Sequence, residues 1–369
     1  MPVPKRASKR YRWISRCDAP TARSMPALMM WPVSVRQVPA VERLVGLSAF
    51  ALLLLALWVS TTSTVRARDV VEFEPVTVAV RPIQVSPRVW MVQGDVGPAS
   101  AANQGFNANA GFVVTDEGVV VFDALGSPAL GAALRARIRE ITRLPVRHVI
   151  VSHYHTDHYY GLQAFKADGA TVWAHGRARE YLRSGSPELR LTERRESLFP
   201  WVNELTRVVH PDRTIDAETR FRLGGLTFHL LPAGPAHTPE DLMMLVEEEG
   251  VLFAGDLIFA GRIPYVGDAD SRAWLEALDR LGARPPSRIV TGHGPPSKDG
   301  SADLAMTRDY LRFLRAEMAR AVDDMLEFNE AYASIDWSRF RMIPAFDAAN
   351  RRNAFNTFVL MEREALQRR

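Results

Sequence analysis

The sequence is nearly devoid of cysteine, because Cys17 is the only one among 369 residues. A single thiol excludes a disulfide framework within the chain and a metal cluster built on cysteine. Past residue 68 the sequence also lacks any repeat period or low-complexity tract. With 47% hydrophobic and 24% charged residues, the composition is that of a globular protein with ample apolar material for a core. Disorder and a collagen-like chain are therefore excluded.

Charge is absent from residues 44–65 and concentrated before them. Residues 1–43 carry nine lysine and arginine residues against Asp18 and Glu42. A basic segment followed by an apolar run is typical of an export signal, and the small residues that flank Arg66 predict cleavage after Ala67. The alternative is an uncleaved membrane anchor, because 22 uncharged residues are long enough to span a bilayer.

The placement of these charges bears on the partners of the protein. The formal net charge is +4, yet residues 1–67 alone carry ten cations and two anions, so the remaining chain is acidic overall. A nucleic-acid partner is therefore not expected. We predict a periplasmic or secreted protein, or one anchored in the inner membrane, that meets the membrane only through its N-terminal segment.

Short apolar runs separated by glycine and proline predict an α/β domain with mixed sheets. A hairpin is expected where the polar stretch 115–118 separates two such runs. The predicted strands are 83–92, 111–114, 119–122, 146–152, 171–174, 220–231, 242–247, 251–254 and 288–291. The predicted helices are 127–142, 177–184, 270–281 and 304–329, the last with an apolar stripe typical of a helix that covers a core.

Potential metal ligands follow the apolar run 149–152. His153, His155, Asp157 and His158 lie within six consecutive residues, directly after a predicted strand. Three imidazoles and a carboxylate are poor core residues, but they are good ligands for Zn²⁺ or a similar first-row ion. The spacing allows His153 and His155 to share one metal ion while Asp157 and His158 turn toward another.

Three further potential ligands lie downstream: His237, Asp256 and His293. Each follows a glycine-containing turn after an apolar run. In an α/β sandwich such loops converge on one edge of the sheets, where functional residues concentrate. We therefore expect all three side chains to lie close to the segment 153–158.

Together these motifs resemble the metallo-β-lactamase superfamily, and the resemblance covers most of the chain after residue 67. It implies a four-layer αβ/βα sandwich at 68–300 and a C-terminal helical extension at 301–369 packed on the same domain. It also implies two metal sites: His153, His155 and His237 for the first, Asp157, His158 and His293 for the second, and Asp256 bridging both. Asp123 matches an early aspartate that supports the ligand loop without being a ligand.

Asp256 also discriminates within the superfamily, because many true β-lactamases have a cysteine or serine there. An aspartate at this position resembles the ligand pattern of glyoxalase II and lactonases. The segments 159–162, 262–270 and 350–353 resemble exported zinc hydrolases associated with sulfur-oxidation and quinoprotein relay gene clusters.

This resemblance implies an exported enzyme with two zinc ions per chain, for which iron or manganese are alternative metals. A metal-bridging hydroxide would cleave a thioester, ester, lactone or related acyl bond of a small molecule, with catalytic roles for Asp157 and Asp256. The alternatives are a β-lactamase, a mononuclear iron enzyme resembling persulfide dioxygenases, and a non-catalytic binding or maturation protein.

Residues outside the ligand set must select the substrate. We predict Tyr154, Tyr160, Arg262 and Tyr265 as the substrate-binding residues that flank the metals. For the tyrosines at 154 and 160, packing in the core is the alternative. For the arginine, the sequence leaves open a solvated loop cation or a clamp for a substrate carboxylate.

Overall fold

The computed structural model describes residues 73–283 and 286–368. The chain divides into two units, residues 1–70 and 71–369, and every described residue belongs to the second. The predicted export signal or anchor lies outside the described residues and stays a prediction. Within the described part of the chain, no helix has both the length and the apolar character needed to span a membrane.

The first sheet contains seven strands whose spatial order follows the chain. Their bounds are β1 Pro82–Ser86, β2 Val89–Val92, β3 Ala110–Val114, β4 Val119–Phe122, β5 Val146–Ile150, β6 Thr171–His175 and β7 Arg213–Ile215. The strands β1 to β4 pair antiparallel, and β4 to β7 pair parallel. The predicted hairpin is confirmed, because Val114 pairs with Val119.

The second sheet contains five strands in the order β12-β11-β10-β9-β8. Their bounds are β8 Thr219–Leu223, β9 Leu226–Pro232, β10 Leu242–Val246, β11 Val251–Phe259 and β12 Arg288–His293. The single strand predicted over 220–231 is wrong, because Gly224 and Gly225 adopt positive φ and turn the chain into a hairpin. The strand predicted over 83–92 is likewise two strands, separated by a turn at Pro87.

Nine helices are found in the described ranges. They are α1 Pro128–Ile141, α2 Thr156–Tyr159, α3 Leu162–Ala167, α4 Ala178–Arg183, α5 Ser186–Ser197, α6 Ser271–Gly282, α7 Gly300–Asp323, α8 Phe328–Ser334 and α9 Phe346–Gln367. The single helix predicted over 304–329 is wrong, because α7 ends before Met325, which adopts a left-handed conformation. A right-handed helix cannot continue through a residue in the left-handed conformation, which methionine adopts only rarely.

Three buried apolar clusters show how these elements are layered. One lies between the two sheets, where the rings of Phe122 and Phe253 stack 5.3 Å apart. A second packs α1 and α3 against the outer face of the first sheet, and a third packs α6, α7 and α9 against the outer face of the second. The predicted four-layer αβ/βα architecture with C-terminal helices is thus confirmed.

Functional residues collect where strands of both sheets end. Phe122 at the end of β4 pairs with Ile150 at the end of β5, and the backbone amide of Asp123 donates to the Ile150 carbonyl. The sheets meet at this edge, because the amide of Leu242 in the second sheet donates to the carbonyl of Ser152 at 2.8 Å. Loops from separate parts of the sequence are thereby brought together.

Candidate metal centre

All seven potential ligands converge at this edge in two adjacent groups. Within each group, the ligand atoms lie within 4.8 Å of one another. The first group is His153, His155, His237 and Asp256, and the second is Asp157, His158 and His293. The structure therefore brings together the side chains that the sequence selected, while their individual roles as ligands stay predictions.

The loop after β5 divides its own ligands between the two groups. The imidazoles of His153 and His155 lie on an extended segment, with ring centroids 4.7 Å apart. His155 is the N-cap of the short helix α2, and Asp157 and His158 lie in its first turn. The change from extended to helical backbone at residue 156 turns these later side chains toward the second group.

Asp256 lies between the groups. Its Oδ2 atom is 3.4 Å from Nε2 of His237 and 3.2 Å from Nε2 of His293, and its Oδ1 atom is 3.3 Å from Nε2 of His158. The register of β11 against β12 shifts around Asp256, where Gly255 adopts a positive φ. One carboxylate is thus within reach of ligands from both groups.

Asp123 contacts the centre without belonging to either group. Its Oδ2 atom accepts the hydroxyl of Ser152 at 2.7 Å and lies 2.9 Å from Nδ1 of His158. Its Oδ1 atom accepts the Ser152 backbone amide at 2.7 Å. The Ser152 hydroxyl in turn lies 2.9 Å from Nδ1 of His153. Asp123 therefore fixes the tautomer and orientation of two imidazoles, leaving Nε2 of each to face the centre.

Sequence reasoning missed Asn107, Asn109 and Ser152. The Nδ2 atom of Asn107 donates to Oδ2 of Asp157 at 2.8 Å, and its backbone carbonyl lies 2.8 Å from Nδ1 of His293. Asn109 donates to the carbonyls on both sides of the His293 loop. Asparagines are common in loops, and their spacing does not distinguish a functional pair from ordinary loop residues. The Asn-Ala-Asn sequence at 107–109 was the one signal that could have indicated them.

A metal ion fits the chemistry of these side chains. The Nε2 atom of His153 is buried and has no hydrogen-bond partner among the described residues, and Nε2 of His158 and Oδ1 of Asp256, although 3.3 Å apart, form no well-aligned hydrogen bond. Each buried polar atom left unpaired costs roughly 1–3 kcal/mol. Imidazole nitrogen and carboxylate oxygen are the donors that Zn²⁺ and related ions prefer, so a cation would satisfy these atoms.

Protonation equilibria agree with a ligand role for most of the imidazoles. Burial and the neighbouring His158 hold the pKa of His153 well below its ordinary value, and burial lowers the pKa of His237 to about 3. Burial also lowers the pKa of His158, but Asp256 and Asp123 outweigh it and raise that pKa well above its ordinary value. With its pKa raised in this way, His158 would release a proton when a metal ion binds to the second group.

The surroundings of the two carboxylates of the centre favour their ionised form. Burial raises the pKa of Asp256, but His293 and His158 outweigh it and hold that pKa well below the ordinary range. Burial also raises the pKa of Asp157, but His158 and His293 lower it by more, so that its pKa lies below the ordinary range as well. Both aspartates can therefore act as anionic ligands at neutral pH.

The predicted substrate residues separate into two pairs. Tyr154 and Tyr160 are fully buried in the apolar cluster beneath the first sheet, so the structure does not bring them to the metal centre and favours the packing alternative. Tyr265 is half-buried, with its ring centroid 6.1 Å from that of His155. Arg262 is only 6% exposed, and its Nη1 atom lies 3.5 Å from Nδ1 of His293. A solvated Arg262 is thereby excluded.

The sequence of residues 103–293 matches the family profile of the metallo-beta-lactamase superfamily. The chain belongs to this superfamily, whose members are generally hydrolases and typically bind zinc. It is a member with a cluster of histidine and aspartate side chains suited to metal binding.

Particular relatives are distant. The chain is 24% identical over 193 residues to metallo-beta-lactamase IND-1 of Chryseobacterium indologenes. The aligned region covers 51% of this chain and 72% of that protein. It is 22% identical over 241 residues to a linear primary-alkylsulfatase of a Pseudomonas species, covering 55% of this chain and 45% of that protein. This chain thus spans less than half the length of that alkylsulfatase.

A solved structure confirms the fold independently. The sec-alkylsulfatase Pisa1 from Pseudomonas sp. superimposes with a TM-score of 0.59 at 18% identity, over 76% of this chain and 50% of that chain. At this identity the likeness shows the fold alone.

Proposed function

We propose that this protein is an exported binuclear zinc hydrolase that cleaves a thioester, ester, lactone or related acyl bond of a small molecule. The observation that carries the proposal is the position of Asp256, whose carboxylate lies 3.2–3.4 Å from ligand atoms of both histidine groups. A carboxylate shared in this way is typical of two-metal sites.

The candidate ligands can be assigned to the two metal ions of such a site. His153, His155 and His237 would hold one metal ion, and Asp157, His158 and His293 the other, with Asp256 shared. When bound, two divalent ions supply an activated water with a pKa near 7 and polarise the carbonyl that is attacked. Asp157 and Asp256 offset part of the positive charge and favour a binuclear state. No cysteine nucleophile is needed, and Cys17 is the only cysteine in the sequence.

The aspartate at 256 supports acyl-bond hydrolysis of the glyoxalase II and lactonase type. β-Lactam hydrolysis is the second candidate, because the matched relatives include metallo-beta-lactamases of Chryseobacterium indologenes and Elizabethkingia meningoseptica. A mononuclear iron oxygenase is disfavoured, since Asp157, His158 and His293 complete a second group of ligands.

Metal content and substrate range test the proposal together. The full chain, purified without added metal or chelator, should contain close to two zinc ions per chain by elemental analysis. A panel of thioesters, lactones, aryl esters, β-lactams and alkyl sulfates then ranks the activities, and we expect the first three classes to be turned over fastest. One iron per chain with oxygen consumption on persulfides, or no hydrolysis of any acyl substrate by the zinc-loaded protein, would refute the proposal.

Export is tested separately. Expression of the full chain in a Gram-negative host, followed by fractionation and N-terminal sequencing, should yield a periplasmic product that begins after Ala67. A full-length product in the membrane fraction would assign residues 44–65 as an anchor.

A further inference from the structure

Arg262 is a buried cation for which the described part of the chain supplies no carboxylate partner. The residue is 6% exposed, and among residues 73–283 and 286–368 its guanidinium forms no ion pair with a carboxylate, its polar contacts being with Ile263 and His293. Its own hydrogen bond is a long one, from Nε to the carbonyl of Ile263 at 3.4 Å. Burying a charge is costly unless the charge is paired and hydrogen-bonded.

The nearest polar neighbour does not supply the missing partner. The Nη1 atom of Arg262 lies 3.5 Å from Nδ1 of His293, but that nitrogen lies only 2.8 Å from the carbonyl of Asn107. Since a carbonyl can only accept, Nδ1 of His293 carries a proton and cannot also accept one from Arg262. Among the residues that the structure describes, the guanidinium therefore has donors left without an acceptor beside the candidate metal centre.

The loop that carries Arg262 is held in place by the C-terminal helix α9 and the segment before it. The amide of Ile263 donates to the carbonyl of Pro344 at 2.9 Å. Asn353 bonds the loop twice, accepting from the amide of Val266 at 2.9 Å and donating to the carbonyl of Pro264 at 2.7 Å. A loop fixed by buried side-chain hydrogen bonds keeps its arginine in one position, as a preorganised binding site requires.

The charges around Arg262 call for an anion from outside the chain. The carboxylates whose negative charge acts on its guanidinium are those of Asp256, Asp157 and Asp95, in decreasing order of effect. The first two are candidate metal ligands, so their charge is offset once divalent ions bind. The centre then carries an excess of positive charge in a buried site. The Phe259 ring, 5.9 Å from the guanidinium carbon, offers partial compensation, and an anion bound from outside the chain would supply the rest.

We infer that Arg262 determines specificity by binding an oxyanion group, a carboxylate or a sulfo group, of an anionic acyl substrate. The planar guanidinium can hold such a group through two parallel N–H···O bonds and so orient the acyl bond toward the metal centre. The inference rests on the proposed function and narrows it to substrates that carry a negative charge near the scissile bond.

A matched pair of substrates isolates the contribution of the charge. p-Nitrophenyl hydrogen glutarate and p-nitrophenyl valerate have acyl chains of equal length, and only the first carries a carboxylate. We expect Arg262→Gln to lower kcat/KM for the glutarate ester by about 10- to 100-fold, as expected for a lost hydrogen bond to a charged group, and to leave the valerate ester within about 3-fold. Arg262→Lys should retain part of the preference, because it keeps the charge but loses the planar fork.

The control variant is Arg137→Gln, an exposed arginine on α1 whose partner is Glu140, and it should leave both rates unchanged. An equal loss on both esters in Arg262→Gln, or a wild-type preference for the neutral ester, would overturn the inference. Thermal unfolding checks that each variant folds. Where Arg262→Gln does not fold, the same comparison made with Arg262→Lys decides.

Direct binding separates this inference from the proposed function. Calorimetric titration of the zinc-loaded protein with glutarate and with inorganic sulfate should show binding that weakens at least about 10-fold in Arg262→Gln. The tighter of the two probes identifies the group. If the wild type hydrolyses no substrate of the acyl panel, the proposed function fails, yet these titrations still test Arg262. Equal anion affinity in wild type and variant would refute the role of Arg262 even in an active hydrolase.

Discussion

The Oδ2 atom of Asp123 lies 2.9 Å from Nδ1 of His158, and the same carboxylate reaches His153 through the hydroxyl of Ser152. One buried side chain thus orients an imidazole in each of the two ligand groups. Asp123 adopts a positive φ at the end of β4, a conformation that aspartate tolerates better than most residues. Fixing ligand orientation through a carboxylate on the far ring nitrogen is a common way to raise metal affinity.

Asp123→Asn should therefore weaken metal binding while the fold persists. The amide keeps the size of the side chain but loses the charge that holds the Nδ1 proton of His158. We expect zinc affinity to fall about 10- to 100-fold, measured by competition with a chromogenic chelator. Ser152→Ala removes only the link to His153, so it should have a smaller effect. Wild-type affinity in Asp123→Asn would contradict the orienting role.

The shared position of Asp256 gives a second prediction. Asp256→Ala removes an anionic side chain that faces both groups, whereas Asp157→Ala removes one from the second group alone. Both variants should lower occupancy of the second metal and activity more than they lower the free energy of unfolding. Elemental analysis and chemical denaturation measure the two effects. The exposed Glu196 on α5 offers the control variant Glu196→Ala, and unchanged metal stoichiometry in both aspartate variants would refute the assigned roles.

The backbone of Gly292 packs directly against Asp256 and Gly255. A Cβ atom at this position would collide with Oδ1 of Asp256 and lie 2.7 Å from the carbonyl carbon of Gly255. Because backbone atoms cannot yield as a flexible side chain can, Gly292→Ala should displace Asp256 and reduce metal content to about one ion per chain or fewer. The control is Gly185→Ala, where a Cβ would meet nothing within 4 Å. Full metal content in Gly292→Ala would show that the loop adapts.

The sequence predicted the site better than it predicted the elements around it. The ligands could be found because imidazoles and carboxylates placed directly after apolar runs have few structural explanations. The hairpins at Pro87 and at Gly224 were missed because the strand-like pattern of apolar residues continues in the sequence on both sides of each turn. Arg262 was ambiguous because its loop is held by hydrogen bonds to Asn353, which lies 91 positions further along the chain. Such long-range hydrogen bonds leave no local pattern.

The contrast between Tyr154 and Tyr265 has a more local origin. Both are aromatic residues close to potential ligands in the sequence, yet the first packs into the apolar cluster under the first sheet and the second borders the centre. The direction of a side chain at the end of a strand depends on the turn that follows. The immediate start of α2 after His155 decides which face each neighbouring side chain occupies.

The lowered pKa of His237 predicts how acid affects the metal-free protein. Its pKa is about 3 in the folded state and about 6.5 in an unfolded chain. Between these values the unfolded state binds one more proton, so the free energy of unfolding rises with pH and is lost on acidification from about 6.5 toward 3. The slope due to this residue is at most about 1.4 kcal/mol per pH unit.

Denaturant titrations of the chelator-treated protein at a series of pH values measure this slope. His237→Gln removes the titrating group, so the free energy of unfolding should fall less steeply below pH 6.5 than in the wild type. His210→Gln provides the control, because His210 is exposed and lies outside both ligand groups. Zinc should steepen the wild-type dependence, since protons compete with the metal for the imidazoles. Identical slopes for His237→Gln and the wild type without metal would mean that His237 titrates normally in the folded chain.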